Sequence, residues 1–426
     1  MTSAAAGQSD GWYVARMRRY FVAGIGPIAL AGTNFAMSFA MLRLEEPGDF
    51  GVFTFLFVAA QFTIALSAAL FGAPLQALPS SGRDPSGDDA RAIVSAATLA
   101  AVAAGPIFLT LGEMMGLPFF PAACYAFYAV MMILRWVGRS WCYATEQPLR
   151  TVASDLIYAG LTLGTFAVTA GLLGFEPDNA CYSGLAAGAG GSLAVFGRRY
   201  AAMLLARSYR AVWAVYREIW HTQSRWALLG VATTEAAANA HVYLVTLLAS
   251  GEAMAPIVAA SLLLRPINVA QNALVDFERP QMARLIADGA AAELHRSTRL
   301  FLLVLLAVWL GAVSLAYVIV EYYPTLVFTA QYDLGEVRLA VGLWTLVSLL
   351  ILLQVPLNVM LQAAGEFRAL ARATMWSSLV NVTGVAVVLA LAGPVWTVAA
   401  MALGWMLDLV LVRRAAGRMQ RRRGLA

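Results

Sequence analysis

Charged side chains within long apolar runs are the residues most able to do chemistry in this chain. A bilayer core makes an unpaired charge costly, so such charges turn inward to pair or to serve a site. Glu235 and Arg265 lie midway along two neighbouring apolar segments joined by a short turn at Ser250-Gly251. Counted from that turn, their depths differ by about one helical turn or less. The expected arrangement is a Glu–Arg ion pair facing a cavity. Buried ion pairs contribute little net stability, so keeping one invites a functional explanation. Arg265, Asn268, Asn272 and Asp276 recur at i, i+3, i+7 and i+11, one face of a helix. Glu235 and Asn239 make a matching stripe on the preceding segment, with His241 nearby. In the first half of the chain the deep polar residues are Asn34 and Gln61, and later Gln354, Asn358 and Gln362 recur at a spacing of four.

Taken singly, each of these amides reads better as a hydrogen bond between helices. Taken together, the Arg265 stripe reads as the lining of a cavity. The candidate binding residues are therefore Arg265, Asn268, Asn272, Asn239, Asn34 and Gln61. Glu235 and Asp276 are candidates for ion coupling or ion pairing. Asp155 and Asp408 lie near the ends of their segments, where interfacial pairing or capping accounts for them. Pro27, Pro266 and Pro356 each free a carbonyl and permit a bend. The sequence has no P-loop, no metal-ligating cluster and no nucleophile elbow, so neither catalysis nor a metal or cofactor is expected. Cys124, Cys142 and Cys181 match no metal spacing; a bridge between Cys124 and Cys181 is open on position alone.

The elements that position these residues follow from composition. The 426 residues are 61% hydrophobic and 12% charged, about half the charge of an ordinary soluble protein. Twelve apolar runs of about 17 to 24 residues recur, each long enough to cross a hydrocarbon core as a helix. They cover about 21–41, 51–73, 92–111, 117–134, 152–173, 180–196, 226–249, 254–277, 300–320, 339–361, 373–391 and 394–412. The first is too long for a secretory h-region and is followed by acidic residues, so it reads as a retained span.

All 29 basic side chains are arginines. With the N-terminus placed in the cytoplasm and twelve spans, 26 arginines fall on the inner side. Only Arg43 and Arg338 fall outside, and Arg265 lies within a span. This positive-inside asymmetry supports twelve spans with both termini cytoplasmic. It also assigns the net charge of +5 to topology and contact with anionic membrane lipids, which excludes a nucleic-acid partner.

The fold class expected is all-α integral membrane, in two six-helix bundles. The domains are 1–197, an N-terminal bundle; 198–225, a cytoplasmic connector; and 226–426, a C-terminal bundle with a basic tail. In the connector, Leu205, Tyr209, Val212, Tyr216 and Trp220 recur at helical spacing, with Arg207, Arg210 and Arg217 on another face. This is the pattern of a helix lying at the membrane interface. Phe71-x-x-Pro74-x-x-Ala77 and Phe277-x-x-Pro280-x-x-Ala283 occupy equivalent places in the two halves, as in a parallel internal repeat. Gly184, Gly188 and Ser192 form a small-residue face for close helix packing.

Three stretches carry a family resemblance: Leu44-Glu45-Glu46-Pro47-Gly48-Asp49-Phe50-Gly51 after the first span, Pro280-Gln281-Met282-Ala283-Arg284-Leu285 with Asp288-Gly289 after the eighth, and Gln362-Ala363-Ala364-Gly365-Glu366-Phe367-Arg368 after the tenth. In order and spacing the chain resembles the Wzx-type polysaccharide-repeat flippases of the multidrug/oligosaccharidyl-lipid/polysaccharide (MOP) exporter superfamily, which includes the MATE proteins. Two places depart from that pattern: Thr329-Ala330-Gln331-Tyr332 lacks a glycine before the tyrosine, and Trp396 stands where a second glycine is frequent.

The resemblance implies two bundles that alternate access to a central cavity in a bacterial inner membrane. It implies a lipid-diphosphate-linked oligosaccharide as cargo, exported for exopolysaccharide or O-antigen synthesis, with a polysaccharide polymerase or other assembly protein as a partner. Arg265 would attract the diphosphate or an acidic sugar, and the amides would bond sugar hydroxyls. Competing readings are a proton- or sodium-coupled drug/cation exporter that uses Glu235, a non-transporting scaffold for the assembly machinery, and a sugar facilitator.

Overall fold

The computed structural model describes residues 25–78, 84, 85, 87–204 and 209–424. Among these every regular element is helical. A helix overlies each of the twelve apolar runs: α1 (Ile25–Leu44), α2 (Pro47–Ser67) continuing through a π turn into α3 (Ala73–Ala77), α4 (Asp88–Met114), α5 (Phe119–Ala144), α6 (Pro148–Gly171), α7 (Pro177–Ser192), and then, beyond the connector, α10 (Arg225–Leu248), α11 (Gly251–Ala287), α12 (Ala291–Tyr322), α13 (Leu334–Ala363), α14 (Phe367–Ala392) and α15 (Thr397–Arg422). The connector supplies α8 (Gly197–Leu204) and α9 (Tyr209–Ile219).

Eight of these helices, α1, the α2–α3 run, α4, α5, α6, α12, α13 and α14, are long and apolar enough to cross a membrane. The other four differ for visible reasons. α7 has only 16 residues, and α10, α11 and α15 carry the polar and charged side chains already singled out. The chain is a multi-pass membrane protein.

Local chemistry sets the helix ends. The Ser250 hydroxyl accepts the Ala253 N–H at 3.0 Å and starts α11. The Asp333 carboxylate accepts the Gly335 N–H at 2.7 Å and starts α13. Pro148 and Pro177 occupy the first turns of α6 and α7, where a missing N–H costs nothing. Gly289, Gly365 and Gly393 end α11, α13 and α14 at φ of 66°, 77° and 94°, a conformation a side chain would strain. Two of these glycines belong to the stretches that carry the family resemblance. α11 and α13 run unbroken through Pro266 and Pro356.

The chain divides into two compact units. One comprises Met1–Met37 with Ala59–Leu229, the other Ser38–Val58 with Gly230–Ala426. The division assigns the connector to the first unit and the turn between α1 and α2 to the second.

In the first unit, Phe71, Ile93, Val94, Val137, Trp141, Phe196 and Tyr200 form the main core. Tyr216, part of the stripe read as facing the membrane, is buried in that core. Its ring lies 5.5 Å from Phe71. Trp220 packs on the same cluster, so these two residues of the stripe meet protein. The side chains of Tyr209, Arg210 and Val212, and residues 205–208, lie outside the described part.

Glycines bring helices close in both units. A side chain on Gly184 or Gly188 of α7 would strike the backbone of α6 at Thr162 or Tyr158, as the small-residue face led us to expect. In the second unit Gly51 of α2 abuts the backbone of Gly251 in α11. The core there gathers Leu264, Phe301, Leu305, Leu352, Val359 and Val412. All three cysteines are free thiols, so Cys124 and Cys181 are not bridged. Cys181 is buried in α7 and Cys124 is half-buried in α5.

Candidate functional site

Arg265 stands partway along α11, and around it the second unit encloses a cavity of about 250 Å³. This is slightly smaller than the roughly 300–1,000 Å³ usual for small-molecule sites. α11 lines it with Ser261, Arg265, Asn268 and Gln271, which share one face of the helix with the apolar Val258 and Leu264. α10 contributes Asn239 and His241, α13 contributes Trp344 and Ser348, α15 contributes Trp405, and α2 contributes Thr54. The guanidinium of Arg265 donates from Nη1 to the Ser38 hydroxyl at 3.3 Å. The two tryptophans are set differently. Trp344 Nε1 donates to the Ile257 carbonyl at 2.9 Å, and its ring meets the buried His241 edge to face at 5.3 Å. Trp405 Nε1 and His241 Nδ1 are buried with no hydrogen-bond partner among the described residues. Unsatisfied polar atoms at a cavity wall are costly unless something enters to meet them.

The expected ion pair is not formed. Glu235 does not line the cavity; its Oε2 accepts the amide of Asn239, one turn further along α10, at 2.8 Å. The described lining therefore holds one arginine and no carboxylate.

The sequence-derived candidates thus separate. Arg265, Asn268 and Asn239 meet at the cavity. Asn34 and Gln61 belong to the first unit, where Gln61 Nε2 donates to the Tyr128 hydroxyl at 3.5 Å. The side chains of Asn272 and Asp276 lie outside the described part. Gln354 is buried beside the core residues Leu352 and Val355 of α13 and does not line the cavity. Gln271 continues the α11 stripe three residues beyond Asn268 and was legible in principle. Trp344 and Trp405 gave no such signal, since a single tryptophan in an apolar span has no periodic partner.

Several solved structures match this fold over nearly the whole chain, these three among them. An inward-facing multidrug resistance MATE family transporter of the MOP superfamily superimposes with a TM-score of 0.64 at 13% identity, covering 91% of this chain and 95% of that one. A MATE in the straight conformation gives 0.60 at 16% identity, covering 95% and 96%. The fold is that of the MATE transporters. A MOP superfamily transporter from Pyrococcus furiosus, described as having a binding pocket of reverse polarity that suggests a different function, also gives 0.60 at 16% identity, with 95% and 96% covered. At such identities the likeness to MATE proteins is one of fold. No protein-family model matches the sequence, and no curated protein sequence does.

Within the first unit of this MATE fold, a second charged cluster was only partly foreseen. Asp155 of α6 is fully buried between Arg135 and Arg139 of α5, and it accepts from both guanidiniums through Oδ1. Arg135 also donates from Nε to Ser154 at 3.2 Å and lies 4.7 Å from the Tyr158 ring centroid. Asp155 had been read as an interfacial pair or cap. Pairing is what the structure shows, but inside the protein and with two cations on one carboxylate. Close approach of α1 at Gly26, which abuts the carboxylate, completes the enclosure.

Proposed function

We propose that this protein is a flippase that carries lipid-diphosphate-linked oligosaccharide repeat units across a bacterial inner membrane for polysaccharide synthesis. The observation that carries this reading is the charge of the cavity. Arg265 projects its cation into a half-buried recess whose described lining holds no carboxylate. An arginine fork matches phosphate and carboxylate geometry, and low-dielectric walls strengthen its pull on an anion. Asn239, Asn268 and Gln271 offer amides for hydroxyl groups. Trp344 and Trp405 add flat apolar surfaces on which the C–H faces of a sugar ring can stack. The cavity volume suits a single sugar or a phosphate group, so the remainder of the head group would occupy space opened as the transporter alternates. The lipid tail would remain in the bilayer. A polysaccharide polymerase or assembly protein would receive the product.

A drug/cation exporter is the reading favoured by the description of one matched structure as a multidrug transporter. An unpaired arginine in the cavity repels such a cargo, and Glu235, the carboxylate that reading needs, is absent from the lining.

Export of surface polysaccharide by a strain carrying only Arg265→Ala tests the proposal. Loss of export at a normal level of membrane-inserted protein is expected. Full export by Arg265→Ala sinks the flippase reading. Glu235→Gln, which can still accept from Asn239, should leave polysaccharide export intact. Uncoupler-sensitive dye efflux that disappears in Glu235→Gln would favour the cation exporter instead.

A further inference from the structure

A second recess lies in the same unit, away from the Arg265 cavity, where α14 and α15 run antiparallel from their turn at Gly393. It encloses about 450 Å³. Arg368 and Arg372 line it from α14, and Arg418 and Arg422 from α15. Spacing by four on both helices stacks the guanidinium groups in two tiers about 6 Å apart along the axis. Antiparallel register sets Arg368 level with Arg422, and Arg372 level with Arg418. Glu366 is the one acidic residue of the described lining. The recess thus carries a formal charge of about three positive units. Its geometry is tied down by Arg423, whose Nη2 donates to the Ala364 carbonyl at 2.8 Å.

One turn deeper the chemistry changes. Trp376, 54% exposed, follows Arg372 on α14, and Leu411 and Ala415 follow Arg418 on α15. Met375 and Leu379, on the same helix as Trp376, are also about half exposed, as expected of a surface that faces acyl chains. The apolar stretch of α14 begins at Arg368, so the arginine tiers stand where a spanning helix meets its head-group layer. This end of the protein is also the one assigned to the cytoplasm by the distribution of arginines.

From these features we infer that the α14–α15 recess binds the head group of an anionic phospholipid from the cytoplasmic leaflet. The four guanidiniums take the phosphate, and Trp376 with Leu411 takes the first segment of the acyl chains. Four like charges in one recess repel one another unless an anion lies among them. A soluble phosphate would satisfy the arginines but would leave the apolar tier unused. The inference does not depend on the cargo of the Arg265 cavity.

Native mass spectrometry of the full-length protein in detergent tests it, with phosphatidylglycerol, phosphatidylcholine of matched chains, or inorganic phosphate added. The wild type should retain phosphatidylglycerol in clear preference to phosphatidylcholine. Arg372→Ala with Arg418→Ala should weaken phosphatidylglycerol binding about tenfold or more. A control pair, Arg296→Ala with Arg299→Ala, removes the same charge from exposed positions at the start of α12 and should leave binding unchanged. Equal loss in both pairs, equal retention of the two lipids, or displacement of phosphatidylglycerol by inorganic phosphate would each overturn the inference. Unchanged melting of the groove variant would show that the loss is one of binding.

Discussion

Among the described residues Arg265 makes a single hydrogen bond, to Ser38, which leaves most of its five donors for an incoming group. Charge and shape can therefore be separated at this residue. Arg265→Lys keeps the cation but loses the planar fork, so export should fall between the wild type and Arg265→Ala, measured at matched protein level. Trp405→Phe should also reduce export without loss of folded protein. It keeps an aromatic face but removes the unpartnered Nε1 donor. Asp155 calls for a different outcome. Replacing it with Asn leaves Arg135 and Arg139 buried and uncompensated, at a cost of about 3–5 kcal/mol. A large drop in melting temperature, or failure to accumulate in the membrane, should follow. An Asp155→Asn protein as stable as the wild type would show that an unseen anion neutralises the cluster.

At the level of elements, the π turn Ala68–Gly72 interrupts the α2–α3 run, and Pro74, four residues beyond Leu70, has no N–H to offer the Leu70 carbonyl. That carbonyl accepts both the Tyr216 and the Ser224 hydroxyl, each at 2.9 Å. Burial pushes the Tyr216 hydroxyl above its ordinary pKa and the Ser224 hydroxyl pulls it partly back, so it stays a protonated donor. The connector is thereby latched to the helix it follows by some 150 residues. Either Tyr216→Phe or Ser224→Ala alone leaves the carbonyl one partner. The double variant strips it and should cost about 1–3 kcal/mol, more than the two single losses together. Melting curves for the three variants would show this, and simple additivity would contradict it. Close packing gives a second expectation. Gly188→Leu drives a side chain into Tyr158 and Thr162 of α6 and should destabilise the first unit by about 1–3 kcal/mol or more.

For the whole molecule, the arginine asymmetry specifies an orientation that labelling can check. With the native cysteines replaced by serine, a cysteine at Tyr323, which is 57% exposed beyond α12, should react with an impermeant maleimide added to intact cells. A cysteine at Arg296, at the other end of the same helix, should react only after the membrane is opened. The reverse pattern would invert the topology and with it the leaflet assigned to the α14–α15 recess. On the proposed flippase reading the Arg265 cavity opens to each side in turn, so a variant that binds cargo but cannot alternate should fail to export.

How much of this was legible in the sequence depended on the range of the interaction. Helix positions were, because the length and apolarity of each run are properties of consecutive residues. So were the stops at Gly289 and Gly365, which lie in the stretches placed after the eighth and tenth spans and whose backbone conformation itself demands glycine. The small-residue face of α7 was also readable, since its spacing matches the helix period. Which faces meet was not. Periodicity placed Glu235 and Arg265 at similar depth, yet it is Asn239, one turn along the same face of α10, that lines the cavity, and the carboxylate accepts from that amide. The connector's amphipathic spacing pointed to the membrane interface, and only packing set Tyr216 and Trp220 against the core around Phe71. Trp344 and Trp405 become neighbours of Arg265 through contacts between α11, α13 and α15, helices far apart in the chain. Local composition determines which segments are helices, but the choice among chemically similar partners for each face is made by long-range packing.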